Sequence, residues 1–193
     1  MPNEKLFDTH AVLGKAMELF WKKGYHGTSI NDLVEATGLS RSSLYATFED
    51  KHKLYVAALR HYQTWQKKGL NDALDKQSTA RKKIEVIFRA YLEAILHDAY
   101  GKGCFMVNTA TEMTNQNKEL AKIVGSDFDG MEALMFSLIK QGQSEGNISK
   151  KQKPKTLARY LFSCYLGLRL TGQAKPDRAT LEDVVKVTLS VLD

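Results

Sequence analysis

Only three prolines occur in this chain of 193 residues, and none lies between Asn3 and Lys153. Proline removes a backbone donor and breaks helix interiors. A proline-free span this long, rich in Ala, Leu and Lys, therefore favours an all-α fold. Hydrophobic residues make up 43% of the chain, enough for a sizeable core. Their spacing divides the chain into about nine helices. No apolar run reaches the ~20 residues of a membrane helix, so a soluble protein is expected. The start, MPNEKLFDTH, carries acids and no apolar signal-peptide region. Two cysteines, Cys104 and Cys164, make no disulfide framework, and a cytoplasmic setting fits.

The stretch TSINDLVEATGLSRSSLYATFEDK, residues 28–51, is the most informative. Thr28 or Ser29 can cap a first helix, whose Ile30, Leu33 and Val34 share one apolar face. Gly38 suits the left-handed backbone past a helix end, and Ser40 can cap a second helix. In that second helix Leu44 and Phe48 face inward, which leaves Arg41, Ser42, Ser43, Tyr45 and Thr47 facing outward. Two short helices around a glycine turn match the helix-turn-helix pattern, whose second helix enters the DNA major groove. Ser42, Ser43 and Thr47 are weak helix formers, so helix propensity does not account for them. Small hydroxyls let a helix approach DNA closely, and Arg41 can fork onto guanine or clamp a phosphate. Overall charge adds nothing to this reading. The chain carries +6, but residues 1–53 hold seven Lys/Arg and seven Asp/Glu.

GLSRSSLYATFEDKHKLY resembles the signature of the TetR family of bacterial transcriptional regulators, and AVLGKAMELFWKKGYHGTSI resembles that family's first helix and its Gly-Tyr-x-x-Thr link. The resemblance covers roughly residues 8–60. It implies an all-α architecture with a three-helix helix-turn-helix head at 1–50, a linking helix at 51–69 and a ligand-binding and dimerisation body at 70–193. It implies DNA contacts from Thr28, Ser29, Ser40, Arg41, Ser42, Ser43, Tyr45 and Lys51, with Thr28, Tyr45 and Lys51 on the backbone. Ser42 stands where many members have Gly, and Ala46 where many have His; Arg41 and Ser43 remain the expected base-edge readers.

Periodicity places body helices at about 51–68, 80–98, 117–142, 154–171 and 181–192. Asp50 is expected to cap the first of these, and Thr180 with Asp183 the last. Gly69 and the polar run after it mark a boundary. The segment GKGCFMVNTATEM mixes apolar bulk with a few polar groups, which suits pocket lining and plain core equally. The candidate pocket set is Tyr62, Trp65, Phe88, Tyr91, Cys104, Asn108, Thr111, Phe128 and Met131, for an apolar or aromatic ligand. Cys104 reads as a buried inert thiol. Leu157, Leu161, Cys164 and Leu168 form a coiled-coil-like seam, and with Val184, Thr188 and Leu192 they form the expected interface of a homodimer.

No catalytic residue, metal or cofactor is expected. His26, His52 and His61 lack a ligand pattern, and Glu93 with His97 reads as a surface ion pair. The chain lacks a phosphate-binding glycine loop, a His-Glu-x-x-His pattern and cysteines at zinc spacing. The expected function is a ligand-responsive transcriptional regulator, a repressor released from a double-stranded DNA operator by a small molecule, with no membrane role. The alternatives are a helical dimerising partner without DNA binding, or a small all-helical enzyme.

Overall fold

A computed structural model describes residues 7–175 and 177–193. The reading of the N-terminal leader falls mostly on residues outside that range. Among the described residues there are nine α-helices and no strand: α1 (Thr9–Lys23), α2 (Ile30–Thr37), α3 (Arg41–Phe48), α4 (Lys51–Leu74), α5 (Ala80–Leu96), α6 (Phe105–Glu112), α7 (Lys118–Glu145), α8 (Pro154–Ala174) and α9 (Arg178–Ser190). Among the described residues no helix is long and apolar enough to cross a membrane.

Local chemistry sets most of the boundaries. Asp8, Ser29, Ser40, Asp50, Thr79, Asn117 and Asp177 each cap a helix by accepting a backbone N–H. Gly38 ends α2 in the left-handed region at φ 75°, as its position suggests. Three boundaries differ from the sequence reading. The linking helix runs through Gly69 to Leu74. A lone glycine costs a helix only about 1 kcal/mol, which packing on both sides of it overrides. The segment after Gly103 folds as a separate helix, α6. The cap of α9 is Asp177, not Thr180, because its carboxylate accepts both the Thr180 N–H and the Thr180 hydroxyl.

Two hydrophobic clusters hold the molecule together. One joins Phe20, Leu33, Leu44, Tyr55 and Tyr62 of α1–α4 to Cys104, Phe105 and Met106 and to Leu120, Ile123 and Val124 of α7. The other is built from α5, the second half of α7, α8 and α9. The first three helices are thus not a free-standing unit: their core is completed by α6 and the start of α7.

Candidate nucleic-acid interface and body cavity

The α3 face is assembled by a few neighbouring residues. Leu44 is buried and Phe48 half-buried, pinning one side of the helix, while Arg41, Ser42 and Tyr45 are exposed and Ser43 half-exposed. The Ser40 hydroxyl accepts the Ser43 N–H at 3.1 Å and lies 2.9 Å from the hydroxyls of both Ser42 and Ser43. Arg41 sits over the Tyr45 ring at 5.7 Å, which holds its guanidinium at the helix start, and among the described residues no acid pairs with it. Lys51 lies over the Tyr25 ring at 4.3 Å. Burial there pulls its ammonium below the usual lysine value, opposed by Glu112 and Asp32.

One expected contact residue is placed otherwise. Thr28 is buried, and its hydroxyl donates to the Gly24 carbonyl at 2.6 Å, so it braces the turn and offers no surface group. The Ser29 hydroxyl is engaged in a capping box with Asp32.

In the body, a cavity of about 830 Å³ opens between α4, α5, α7 and α8 and the stretch 97–103. Four of the sequence candidates, Tyr62, Trp65, Tyr91 and Met131, line it. The other five candidates do not. Phe88 is buried in the second cluster, and Phe128 stacks edgewise on Phe162 at 5.7 Å. The Asn108 amide donates to the Lys102 carbonyl at 2.8 Å, and the Thr111 hydroxyl donates into its own helix. Cys104 lies behind the wall, accepting from the Tyr62 hydroxyl at 3.7 Å and from Arg169. Helix periodicity carried no information about which apolar faces meet around an empty space.

Two residues passed over in the sequence, Trp21 and Arg169, line this cavity, and Glu112 of the mixed segment sits beside it as a clamp. Trp21 of α1 lines the cavity, and its Nε1–H donates to the Gly103 carbonyl at 3.0 Å. Glu112 of α6 accepts the Tyr25 and His26 N–H groups at 3.1 and 2.9 Å. Gly24 makes that clamp possible: its φ is +74°, and a Cβ there would lie 2.9 Å from Glu112 Oε2. Arg169 is buried at the cavity wall. Its sequence signal is its place in the buried stripe Tyr165, Leu168, Arg169, Gly172, where an apolar residue is the norm.

The expected interface set also needs correction. Leu157, Leu161, Leu168, Thr188 and Leu192 are buried within their own protomer, and Cys164 is half-buried. The seam they form faces the second cluster because the more regular apolar stripe fills the protomer core. A second stripe stays exposed: Tyr160 and Leu170 on α8, Val184 and Val187 on α9. Val184 alone of the expected set belongs to it. Glu93 does make an exposed pair with His97 at 3.7 Å, and also with Arg178 at 2.8 Å.

A protein with an outward-facing second helix of a helix-turn-helix and a cavity-bearing helical body belongs to the class of one-component regulators. Comparison with known proteins agrees. A family description reading "Bacterial regulatory proteins, tetR family" matches residues 12–58, and "Tetracyclin repressor-like, C-terminal domain" matches residues 80–188. The chain is 30% identical over 194 residues to the uncharacterized HTH-type transcriptional regulator YezE of Bacillus subtilis (strain 168), covering 100% of both. It is 29% identical over 189 residues to the HTH-type transcriptional repressor ComR of Escherichia coli (strain K12), covering 97% of this chain and 89% of that one. Its fold is similar to that of a cysteine-substituted form of the TetR family transcriptional regulator CifR, solved with 26-bp double-strand operator DNA. That structure has a TM-score of 0.86 and 26% identity, over 98% of this chain and 99% of the other. The chain belongs to the TetR family and is a DNA-binding transcriptional regulator.

Proposed function

We propose that the protein is a homodimeric repressor, acting in the cytoplasm, that leaves a double-stranded DNA operator when a small molecule fills the body cavity. The observation that carries the ligand response is the double role of residues 101–103. They line the cavity and at the same time hold α1: the Gly103 carbonyl takes the Trp21 N–H, and Lys102 pairs with Glu18 at 2.7 Å. Two residues on, α6 begins, and its far end clamps the α1–α2 turn through Glu112. A ligand that displaces this stretch therefore acts on the brace of the helix-turn-helix. Coupling of ~1–3 kcal/mol is enough to change operator occupancy severalfold or more.

The dimer reading rests on the exposed apolar stripe of Tyr160, Leu170, Val184 and Val187, which one protomer leaves uncovered. Two-fold pairing there sets two α3 helices on half-sites about 34–36 Å apart, or a multiple of that. Within this reading Ser40, Arg41, Ser42, Ser43, Tyr45 and Lys51 meet the duplex, with Arg41 and Ser43 at base edges. The test is a mobility shift with the intergenic DNA beside the protein's own gene. Retardation that survives excess unrelated DNA is expected. Turnover of a bound compound would favour an enzyme, and neither retardation nor turnover would leave a dimerising partner protein without DNA binding as the better account.

A further inference from the structure

The wall of the body cavity holds a buried charge with no ion-pair partner among the described residues. Arg169 is 5% exposed, and its Nε–H is buried with no partner. Its other nitrogens meet the Cys104 sulfur and the Tyr165 hydroxyl. Its guanidinium stacks 4.1 Å from the Tyr91 ring and 4.4 Å from the Tyr165 ring. Among the described residues no ion pair includes it.

An arginine keeps its proton inside a protein, so burial does not neutralise it. The surrounding phenols do not balance it either. Burial pushes Tyr62, Tyr91 and Tyr165 upward, so at neutral pH they supply ring faces and dipoles but no negative charge. Neither of the two acids that line the cavity forms an ion pair with Arg169, and each accepts hydrogen bonds from other groups. Asp98 accepts the Gly103 N–H at 2.8 Å and the Tyr100 N–H at 3.3 Å, and Asp127 accepts the Gln63 amide at 3.0 Å. A buried cation without a partner is costly, and a ligand that supplies one recovers that cost.

Resting on the effector reading above, we propose that the cavity takes a small monocarboxylate on a flat apolar body, and that Arg169 binds its charge. The planar fork of donors suits a carboxylate, and a single guanidinium balances one negative charge, so a monoanion is matched where a dianion would keep an uncompensated charge in the cavity. Trp21, Trp65, Tyr91, Met131 and Leu134 supply the apolar walls for the body. The arrangement also places the ligand's charge next to the lever already described, because the Cys104 that touches Arg169 follows the Gly103 that holds Trp21.

The test uses matched pairs on the full chain by titration calorimetry: benzoate and benzamide, 1-naphthoate and 1-naphthamide, indole-3-acetate and indole-3-acetamide. At least one carboxylate is expected to bind about tenfold or more tighter than its amide. That preference disappears in Arg169→Gln and is partly retained in Arg169→Lys. Amides binding as well as carboxylates to the wild-type chain, or no carboxylate preference anywhere in the panel, overturns the proposal even if Arg169→Gln does not fold. Gain of the preference only in Cys104→Ser assigns the counter-charge to the cysteine and overturns it as well. The same compounds in the operator mobility shift separate the two readings. A carboxylate preference with no release of DNA keeps the anion site and removes the effector role. Release by neutral compounds alone does the reverse.

Discussion

The α3 face and the body cavity are both candidate binding surfaces, yet they are built in opposite ways. The α3 face is local: a cap at Ser40, two anchors at Leu44 and Phe48, and polar groups between them, all within one short helix. The cavity is assembled from residues as distant as Trp21 and Arg169, brought together by α1, α4, α5, α7 and α8. A surface made by one helix can change its outward side chains without altering the fold. A cavity walled by five elements responds to changes in any of them. The candidate DNA-reading face is thus mechanically simple, and the candidate ligand cavity is tied to everything else.

The strongest way to break this comparison is to sever the core that the two regions share. Phe105 is 1% exposed and meets Tyr55 at 5.3 Å and Tyr62 at 5.7 Å, edge to face. Phe105→Ala is expected to cost ~3–5 kcal/mol of stability. The head and body are expected to unfold together, with one midpoint by tryptophan fluorescence and by circular dichroism. Two separated transitions would mean that the head stands alone, and the shared cluster would lose its meaning.

Next in size is Arg41→Ala. It removes an exposed group, so stability should stay within ~0.5 kcal/mol. Operator affinity should fall by ~1–3 kcal/mol, with discrimination relaxed at a single base pair. Equal weakening on every sequence tested in the mobility shift moves Arg41 to the phosphate set.

The same contrast explains what was legible. Gly38, Ser40 and Asp50 act through bonds that span a few residues, so their roles in the head follow from spacing. Tyr62, Tyr91 and Met131 lie on their helices' inner sides and Trp65 at the exposed rim, and all four were legible as candidates from their bulk and helical spacing. Phe88 and Phe128 carry the same signal and are core, because only the crossing of helices decides which inner face meets a void. Arg169 gave one clue, a charge in an apolar stripe, and its lack of a partner is visible only once the surrounding rings are in place. The interface misassignment has the same origin. Two apolar stripes on α8 compete, and the more regular one, with Leu157, Leu161 and Leu168, is claimed by the protomer's own core.

A smaller effect isolates the local half of the comparison. Ser40→Ala removes the hydroxyl that accepts the Ser43 N–H. The loss should be about 1 kcal/mol of stability in denaturant titration, as for other N-caps. Operator binding should weaken further than stability alone explains, since Ser40 also orders the hydroxyls of Ser42 and Ser43. A stability loss with unchanged affinity would show that those two hydroxyls do not need Ser40.

The smallest expected effect is at Lys51, and it is best read as a slope. Its ammonium is held against the Tyr25 ring at the α4 N-terminus, beside the turn that Glu112 clamps. Replacing it with Ala also removes a partly desolvated charge, so the fold should lose little. If Lys51 neutralises one phosphate, the plot of log affinity against log salt should flatten by about 0.9 in Lys51→Ala, with equal weakening on operator and variant sequences. An unchanged slope would place Lys51 in the brace between head and body. Lys51→Ala would then be expected to alter the ligand response instead of the DNA contact, joining the two regions at the residue where they meet.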